Sequence, residues 1–199
     1  MNRRYTKRKL AIELSRLEDV ENPKLELEQY TTDSELASEL LWNAYMLGDV
    51  ENKVVADLGA GNGILGIGAL IMGAKKVYFV ELDSDAVKVL KRNLSKYNFT
   101  NYEIMNIDVG DFRTRVDVVI MNPPFGIQSK QDVKFFETAK RSASTIYMIY
   151  PNVERVRNIL KDYNVTVLSE TAIKIRKRFF FHEKEKEFFR VYIIRAIRV

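Results

Sequence analysis

Apolar residues in the first quarter of the chain recur with the spacing of amphipathic helices. Leu10, Leu14 and Leu17 share one face of a helix, because residues three to four positions apart lie on the same side of it. Asp and Ser favour helix N-caps, whereas Gly and Pro interrupt helices. These signals predict two N-terminal helices, over residues 7–17 and from Asp33 or Ser34 to about Leu47, with a break at Asn22-Pro23 and a stop at Gly48.

From residue 53 onwards, short apolar strands alternate with helical segments. Strands that are buried on both faces read as continuous apolar runs. The predicted strands cover 54–58, 77–82, 102–107, 116–121 and 143–150, and the predicted helices cover 63–72, 84–97, 132–142 and 152–163. Two long strands, about 165–176 and 186–198, end the chain. This order predicts an α/β fold with a doubly wound, mostly parallel sheet and an antiparallel hairpin at its edge.

The composition fits a single domain over 1–199. A chain of 199 residues with 46% hydrophobic residues can bury a sizeable core. No apolar run approaches the roughly 18 residues that a membrane span needs, so we expect a soluble, cytoplasmic protein. Zero cysteines exclude disulfides and thiolate metal sites, and a single histidine argues against a zinc or haem site built by the chain itself. We predict no metal site.

Positive charge concentrates at the two ends of the chain. Residues 1–16 carry a net charge of +5 and residues 171–199 carry +6, which leaves −6 for residues 17–170 within a total of +5. Such segregation is typical of a nucleic-acid-binding surface. Basic termini also serve as solvated tails, so the charge pattern leaves both interpretations open.

A glycine-rich loop, Asp57-Leu58-Gly59-Ala60-Gly61-Asn62-Gly63, directly follows the first core strand. Glycines let the backbone turn tightly and approach a ligand, and ligands of open α/β sheets bind at the carboxyl ends of the strands. Acids follow the next two strands. Glu81 can accept hydrogen bonds from both ribose hydroxyls of a nucleoside, and Asp108 can accept one from an adenine amino group. Their neighbours Leu82 and Val109 can sandwich the adenine ring.

Two cofactors compete for this loop. Gly61 to Gly66 satisfy G-x-G-x-x-G, and Glu81 lies twenty residues after Gly61, which is the dinucleotide-binding pattern. Asp57 favours a methyl donor instead, because a carboxylate suits an ammonium group and is poorly placed beside a pyrophosphate.

The segment Asn122-Pro123-Pro124-Phe125 follows a purely apolar strand and is the candidate catalytic loop. Its prolines remove two N–H donors but keep their carbonyls, so the loop is biased towards accepting hydrogen bonds. The Asn122 side-chain oxygen and the Pro123 carbonyl can hold both N–H groups of a target amine. The nitrogen lone pair then points at a methyl donor, and Phe125 offers a ring on which a flipped-out base can stack. The loop predicts amine methylation.

In this order, the motifs resemble a class I, Rossmann-like methyltransferase with a seven-stranded sheet. They are Leu27-Glu28-Gln29-Tyr30-x-Thr32, Val54-Val55-Ala56-Asp57-Leu58-Gly59, Val119-Ile120-Met121-Asn122-Pro123-Pro124-Phe125-Gly126 and Phe181-His182. Within that superfamily, the chain resembles the family of methyltransferase-like protein five and its archaeal homologues. That family methylates the N6 atom of an adenine in small-subunit ribosomal RNA with S-adenosylmethionine.

The resemblance implies that Gln29, Tyr30 and Thr32 fold over the cofactor, so that the helical extension 1–48 forms part of a cofactor lid on a catalytic core over 49–199. It also implies that Asp57, Gly59, Ala60, Gly61, Gly63, Glu81, Leu82, Asp108, Val109 and Asn122 bind the cofactor. Ala60 replaces a family Cys, and Glu81 replaces a family Asp. The eukaryotic member needs a small zinc-containing activator subunit, for which the third strand is the natural edge.

Basic and aromatic residues mix in the C-terminal hairpin. Lys174, Arg176, Lys177, Arg178, Phe181, His182 and Lys184 are the predicted RNA-binding residues, since charge suits phosphate and rings suit bases. A strand with core aromatics and solvated charges is the other interpretation. His182 is expected to shape the site or support the structure rather than act as a base.

Three kinds of alternative stay open on sequence alone: another substrate, another reaction and a non-catalytic protein. The same chemistry fits guanine N2, DNA adenine or a protein glutamine as the target. The glycine pattern also fits an NAD-dependent oxidoreductase, although no catalytic Lys, Tyr or His constellation accompanies it. A non-catalytic RNA-binding module is the last alternative, and the intact Asn122-Pro123-Pro124-Phe125 argues against it.

Overall fold

The computed structural model describes residues 6–21, 32–125, 131–175 and 187–199. Several residues that were predicted to bind cofactor or RNA lie outside these ranges: Gln29, Tyr30, Arg176, Lys177, Arg178, Phe181, His182 and Lys184. For Lys174 the backbone alone is described. The roles of these residues stay predictions.

The described strands form one seven-stranded sheet. They are β1 (Val54–Leu58), β2 (Lys76–Val80), β3 (Tyr102–Met105), β4 (Val118–Met121), β5 (Thr145–Tyr150), β6 (Tyr163–Ile175) and β7 (Glu187–Arg198). Their spatial order is β3-β2-β1-β4-β5-β7-β6. Strands β1 to β5 run parallel to one another, and β7 runs antiparallel to both of its neighbours, β5 and β6. The predicted fold, including the edge hairpin, is therefore confirmed.

Six helices accompany the sheet in the described part of the chain. They are α1 (Lys7–Leu14), α2 (Ser34–Met46), α3 (Ile64–Ile71), α4 (Ser84–Leu94), α5 (Gln131–Ser142) and α6 (Val153–Ile159), with a short 3₁₀ turn at Val109–Asp111. Leu10, Leu14, Leu40 and Leu41 of the N-terminal helices are buried in the same core cluster as the sheet. The N-terminal helices are thus an integral part of the core. None of the described helices is long and apolar enough to cross a membrane.

Three predicted helices end earlier than expected, and the one predicted over 7–17 ends at Leu14. The helix predicted over 152–163 stops at Ile159, because Tyr163 begins β6 and pairs with Arg198. The helix predicted to reach Tyr97 stops at Leu94, where the Ser95 hydroxyl donates to the Arg92 carbonyl at 2.7 Å. Serine competes in this way with helical backbone bonds.

The β6–β7 hairpin extends beyond the rest of the sheet at the end where the glycine-rich loop lies. Pairing between β5 and β7 ends at Tyr150 with Tyr192, where β5 itself ends. Pairing between β6 and β7 continues for five more register pairs, from Thr171 with Val191 to Ile175 with Glu187. At about 3.4 Å per residue, the hairpin projects about 17 Å past the carboxyl end of β5.

Candidate active site

A cavity of about 230 Å³ opens at the carboxyl ends of the central parallel strands. Its walls come from the loops after β1, β2, β3 and β4, together with the start of α5 and the N-terminal extension. Among the described residues that were predicted to bind a cofactor, the following line it: Thr32, Asp57, Gly59, Ala60, Gly61, Glu81, Leu82, Asp108, Val109 and Asn122. These predicted residues therefore converge on one cavity.

The glycine-rich loop has the backbone that its sequence requires. Gly59 has a φ of +72°, and a Cβ at this position would lie 2.8 Å from Cε1 of Phe135. Gly61 has a φ of +55°, and its N–H donates to Oε2 of Glu81 at 2.8 Å. Left-handed backbone of this kind favours glycine. The loop is thereby tied directly to the acid that follows β2.

Gly63, the last glycine of the loop, lies directly before α3 and packs close to α4. It has a φ of +89° and precedes α3, and a Cβ there would lie 2.3 Å from Cδ1 of Leu90 in α4. Alone among the described candidates for cofactor binding, it is not among the residues that line the cavity. Gly63 is required for the close approach of α3 to α4, and a direct contact with a cofactor stays a prediction.

Asp57 lies at the end of β1 in the wall of the cavity and is 1% exposed. Its Oδ2 accepts the Gly66 N–H at 2.7 Å. Burial, with a smaller contribution from the charge of Glu81, raises the pKa of Asp57 to about 7, although the Gly66 hydrogen bond opposes the shift. The Asp57 carboxyl group is therefore partly protonated near pH 7, and a cation that binds beside it favours the ionised form.

This pKa predicts that cofactor affinity depends on pH. A cationic ligand binds the ionised form of Asp57, so below about pH 7 binding must first release a proton. The dissociation constant for the predicted cofactor, S-adenosylmethionine, should rise, by up to about tenfold per pH unit, as the pH falls below 7. Calorimetry at pH 6, 7 and 8 measures this. In Asp57→Asn the affinity should be weaker and the same over this range, and a wild-type affinity that does not change with pH would contradict the assignment.

Glu81, just after β2, is 7% exposed and organises two loops. Its Oε1 accepts the Asp83 N–H and its Oε2 accepts the Gly61 N–H, both at 2.8 Å. Burial raises the pKa of Glu81, the nearby charge of Asp83 adds to this, and the two N–H donors oppose it. A carboxylate has about four acceptor positions, so Glu81 can still accept from a ligand's hydroxyl groups.

Asp108 follows β3 and is held in place from two sides. Its Oδ1 accepts the Gly110 N–H at 2.7 Å, and its Oδ2 accepts from Nζ of Lys134 at 3.1 Å. Burial alone would raise the pKa of Asp108, but these two donors hold it below its usual value. Lys134, which also lines the cavity, was missed from the sequence because it belongs to α5, far along the chain.

The N-terminal extension reaches the cavity on both sides of the stretch 22–31, since Val20 and Thr32 both line it. Asn62 and the fully buried Asn93 anchor the first of these contacts. The Asn62 side-chain amide donates to the Glu18 carbonyl at 3.2 Å, and the Asn93 side-chain amide donates to the same carbonyl at 2.9 Å. Neither Val20 nor Asn93 carries a sequence signal, because their positions depend on how two distant segments pack.

The Asn122-Pro123-Pro124-Phe125 segment leaves the end of β4 at the rim of the same cavity. Asn122 and Pro124 line the cavity wall. The side-chain Nδ2 of Asn122 donates to Oγ1 of Thr32 at 2.8 Å. The catalytic asparagine predicted from sequence thus contacts the predicted lid residue directly.

Phe125 is more enclosed than its predicted stacking role suggests. The ring is 8% exposed and stacks on Phe189 of β7, with centroids 5.7 Å apart and planes at 9°. The ring also lies edge-on to that of Tyr150, with centroids 6.0 Å apart and planes at 88°. A base therefore has at most one face of the Phe125 ring available, and the stack couples the catalytic loop to the projecting hairpin.

A buried ion pair lies behind this aromatic cluster. Asp132 of α5 is fully buried and accepts from the Tyr150 hydroxyl at 2.6 Å and from Nε of Arg155 at 2.7 Å. Burial alone would raise the pKa of Asp132, but Arg155 and Tyr150 together hold it below the usual value. Removing one partner of such a pair leaves a buried charge uncompensated. The cluster therefore supports the wall from which Phe125 projects.

Comparison with known proteins matches residues 31–148 to the methyltransferase small domain family. The chain belongs to this family. Among its relatives, METTL5 of Danio rerio, named as an rRNA N(6)-adenosine-methyltransferase, is 31% identical over 92% of this chain and 94% of its own. The protein MJ0284 of Methanocaldococcus jannaschii is 35% identical, over 90% of this chain and 88% of its own.

Solved structures of similar proteins agree with this membership of the methyltransferase small domain family. The Pyrococcus horikoshii protein PH1948, for which RNA methyltransferase activity has been proposed, superposes with a TM-score of 0.88 at 45% identity over 100% of this chain and 99% of its own. Protein 1320 of Thermoplasma acidophilum has a TM-score of 0.74 at 26% identity, over 96% of both chains. The chain is thus a methyltransferase, and S-adenosylmethionine is its methyl donor. The oxidoreductase alternative is ruled out.

The cavity fits this cofactor. S-adenosylmethionine carries positive charge and a ribose, and the buried carboxylates of Asp57 and Glu81 are suited to both. Open space surrounds Gly61, since a Cβ there would meet nothing within 4 Å. A loop of this kind leaves room for the ligand against its backbone.

Proposed function

We propose that this methyltransferase transfers a methyl group to the exocyclic N6 amino group of an adenine in RNA, in particular in small-subunit ribosomal RNA. The observation that carries the proposal is the place of Asn122 in the wall of the cofactor cavity, at the start of an Asn-Pro-Pro-Phe loop. Two relatives that match over nine-tenths of the chain, from Danio rerio and Drosophila melanogaster, are named as adenine-N6 methyltransferases of ribosomal RNA.

Three carboxylates would hold the cofactor in this proposal. Asp57 would bind the ammonium of the methionine part, Glu81 the ribose hydroxyls and Asp108 the adenine amino group, with Leu82 and Val109 on the two faces of the adenine; all five residues line the cavity. When bound, the cofactor supplies an electrophilic methyl group on a sulfonium sulfur. Because each carboxylate follows a different parallel strand, the rigid sheet fixes the spacing of the three.

The Asn122 amide oxygen and the Pro123 carbonyl would accept the two N–H groups of the target amine. Their attraction for these hydrogens stabilises the positive charge that develops on nitrogen during the in-line displacement. Catalysis then consists mainly of holding the amine in position, so the loop needs no strong base. The product amine loses its extra proton to solvent after methyl transfer.

The projecting hairpin would bind the RNA around the target. Its described backbone runs about 17 Å past the end of β5 on the side of the cavity, and it leads into Arg176, Lys177 and Arg178. Phe189 at its base stacks on Phe125 of the catalytic loop. Basic side chains there would contact phosphates while the target base enters the cavity.

Neutralising Arg176, Lys177 and Arg178 together to Gln should weaken RNA binding and flatten its salt dependence. Each lost phosphate contact reduces the slope of log affinity against log salt by about 0.7, so the slope should fall by about 2. Fluorescence anisotropy with labelled RNA between 50 and 300 mM salt measures it. A matched variant with Lys88, Lys91 and Lys161 changed to Gln should bind as wild type. An unchanged slope in the first variant would place the RNA elsewhere.

Substrate class is tested with labelled S-adenosylmethionine and three acceptors: naked small-subunit ribosomal RNA, a DNA duplex of matched sequence, and ribosomal protein. We expect label in RNA alone. Ribosomal protein L11 methyltransferases also match this chain, but one of the strongest such matches spans 45 residues, or 23% of it. Label in protein or DNA with none in RNA would overturn the proposal.

A partner and a location complete the proposal. We place a small zinc-containing subunit at β3, which has a single neighbour among the described strands. The Asn101 and Met105 carbonyls face β2, so the backbone N–H of Ile104 points outward, ready for strand addition. Ile104→Pro should abolish co-purification of such a partner. If the partner still co-purifies with this variant, it binds elsewhere.

The location that we propose for the enzyme is the cytoplasm, where a ribosomal RNA substrate is found.

A further inference from the structure

The N-terminal extension makes a direct contact with the catalytic asparagine. Oγ1 of Thr32 accepts a hydrogen bond from Nδ2 of Asn122 at 2.8 Å, across 90 positions of sequence. Both residues line the cofactor cavity. Thr32 was expected to contact the cofactor, and its contact with Asn122 gives it a second role.

The orientation of the Asn122 amide decides what it can do. One end of the group is an acceptor oxygen and the other is a donor NH₂. A target amine presents N–H groups, so catalysis needs the oxygen directed at it. If the amide were reversed, two donors would face each other and the amine would lose an acceptor. A group that accepts a hydrogen bond from the NH₂ end, as the Thr32 hydroxyl does here, therefore stabilises the productive orientation.

Thr32 is well placed to hold the amide in that orientation, because the next residue, Asp33, caps a helix. Asp33 caps α2, and its Oδ1 accepts the Glu35 N–H at 2.8 Å and the Leu36 N–H at 3.4 Å. The helix packs closely on α3, where a Cβ on Gly68 would lie 2.3 Å from Cδ1 of Leu41. Thr32 thus directly precedes a capped helix that packs on the core of the protein.

We propose that Thr32 is a positioning residue for methyl transfer: its hydroxyl binds the NH₂ end of the Asn122 amide and so directs the amide oxygen at the target amine. The inference rests on the proposed amine methylation. It also explains why the extension belongs to the catalytic unit, since the N-terminal segment supplies a group that the asparagine depends on. Thr32 acts through Asn122 and does not itself touch the reacting atoms.

The test compares Thr32→Val with Thr32→Ser. Valine has nearly the shape of threonine without the hydroxyl, whereas serine keeps the hydroxyl. We expect Thr32→Val to lower kcat by about tenfold at saturating cofactor and RNA, with the dissociation constant for S-adenosylmethionine within about threefold of wild type. Thr32→Ser should restore most of the rate. Thr166→Val, at an exposed position on β6, is the matched control and should leave kcat unchanged.

A double-mutant cycle with Asn122→Ala separates positioning from general damage. Once the amide is absent, Thr32→Val should have no further effect on the residual rate. Three results would each overturn the inference. They are a wild-type kcat in Thr32→Val, a loss in that variant that is confined to cofactor affinity, and full additivity of its effect with that of Asn122→Ala. Failure of the proposed function has a different signature, because the wild-type enzyme itself would then methylate no RNA.

Discussion

Asn122→Ala is expected to lower kcat by about 100- to 1000-fold, which is the usual cost of removing one preorganised polar group that stabilises transition-state charge. The side chain lies in the cavity wall and its NH₂ end is already fixed by Thr32. Alanine removes the amide oxygen that accepts from the amine, but it leaves Asp57 and Glu81 in place. The loss should therefore appear in kcat.

Single-turnover methylation of RNA and calorimetric titration of S-adenosylmethionine measure the two effects separately. The cofactor dissociation constant should stay within a few-fold of wild type. Asn164→Ala, at an exposed position on β6, is the matched control and should turn over normally. Near-normal turnover in Asn122→Ala would show that the loop does not hold the amine in the way proposed.

Glu81→Gln is expected to weaken cofactor binding by about 100-fold or more. The substitution removes a charged acceptor for two ribose hydroxyls, and hydrogen bonds to charged groups contribute about 1.5–3 kcal/mol each. In the wild type, the Glu81 carboxylate accepts hydrogen bonds from the N–H groups of Gly61 and Asp83. In the variant, the NH₂ group of the glutamine would face one of these N–H groups, so that two donors would meet. The glycine loop and the ribose site should be disturbed together.

Calorimetry with S-adenosylmethionine is the direct measurement, with thermal unfolding as a check that the variant is folded. Glu103→Gln on β3 is the control, because Glu103 is exposed and its described ion pair is with Lys76. That variant should bind the cofactor as wild type does. A dissociation constant for Glu81→Gln within threefold of wild type would remove Glu81 from the ribose site.

The sequence located most of this site because its chemistry lies at strand ends. Asp57, Glu81, Asp108 and Asn122 each follow a recognisable apolar strand, and parallel strands bring their carboxyl ends to one edge. The apolar runs along the chain therefore predict the sheet, and they also predict that the acidic residues at the strand ends lie near one another. The ends of helices were predicted less well, as at Ile159, because they depend on tertiary pairing.

Other parts of the site have no local signal. Lys134 meets Asp108 only because α5 packs beside the 3₁₀ turn, and Asn93 reaches the N-terminal extension only because α4 lies against it. The enclosure of Phe125 by Phe189 depends on a strand that joins the sheet more than sixty residues later. Each of these contacts follows from packing between distant segments, which the patterns along a single chain do not encode.

The chemical identity of the product tests the proposed function most directly. The purified enzyme is incubated with small-subunit ribosomal RNA and S-adenosylmethionine carrying a deuterated methyl group, and the RNA is then digested to nucleosides for mass spectrometry. Deuterated N6-methyladenosine is the expected product, present with wild type and lost with Asn122→Ala. Label in N2-methylguanosine, or no labelled nucleoside from fully folded and cofactor-bound enzyme, would contradict adenine-N6 methylation of RNA.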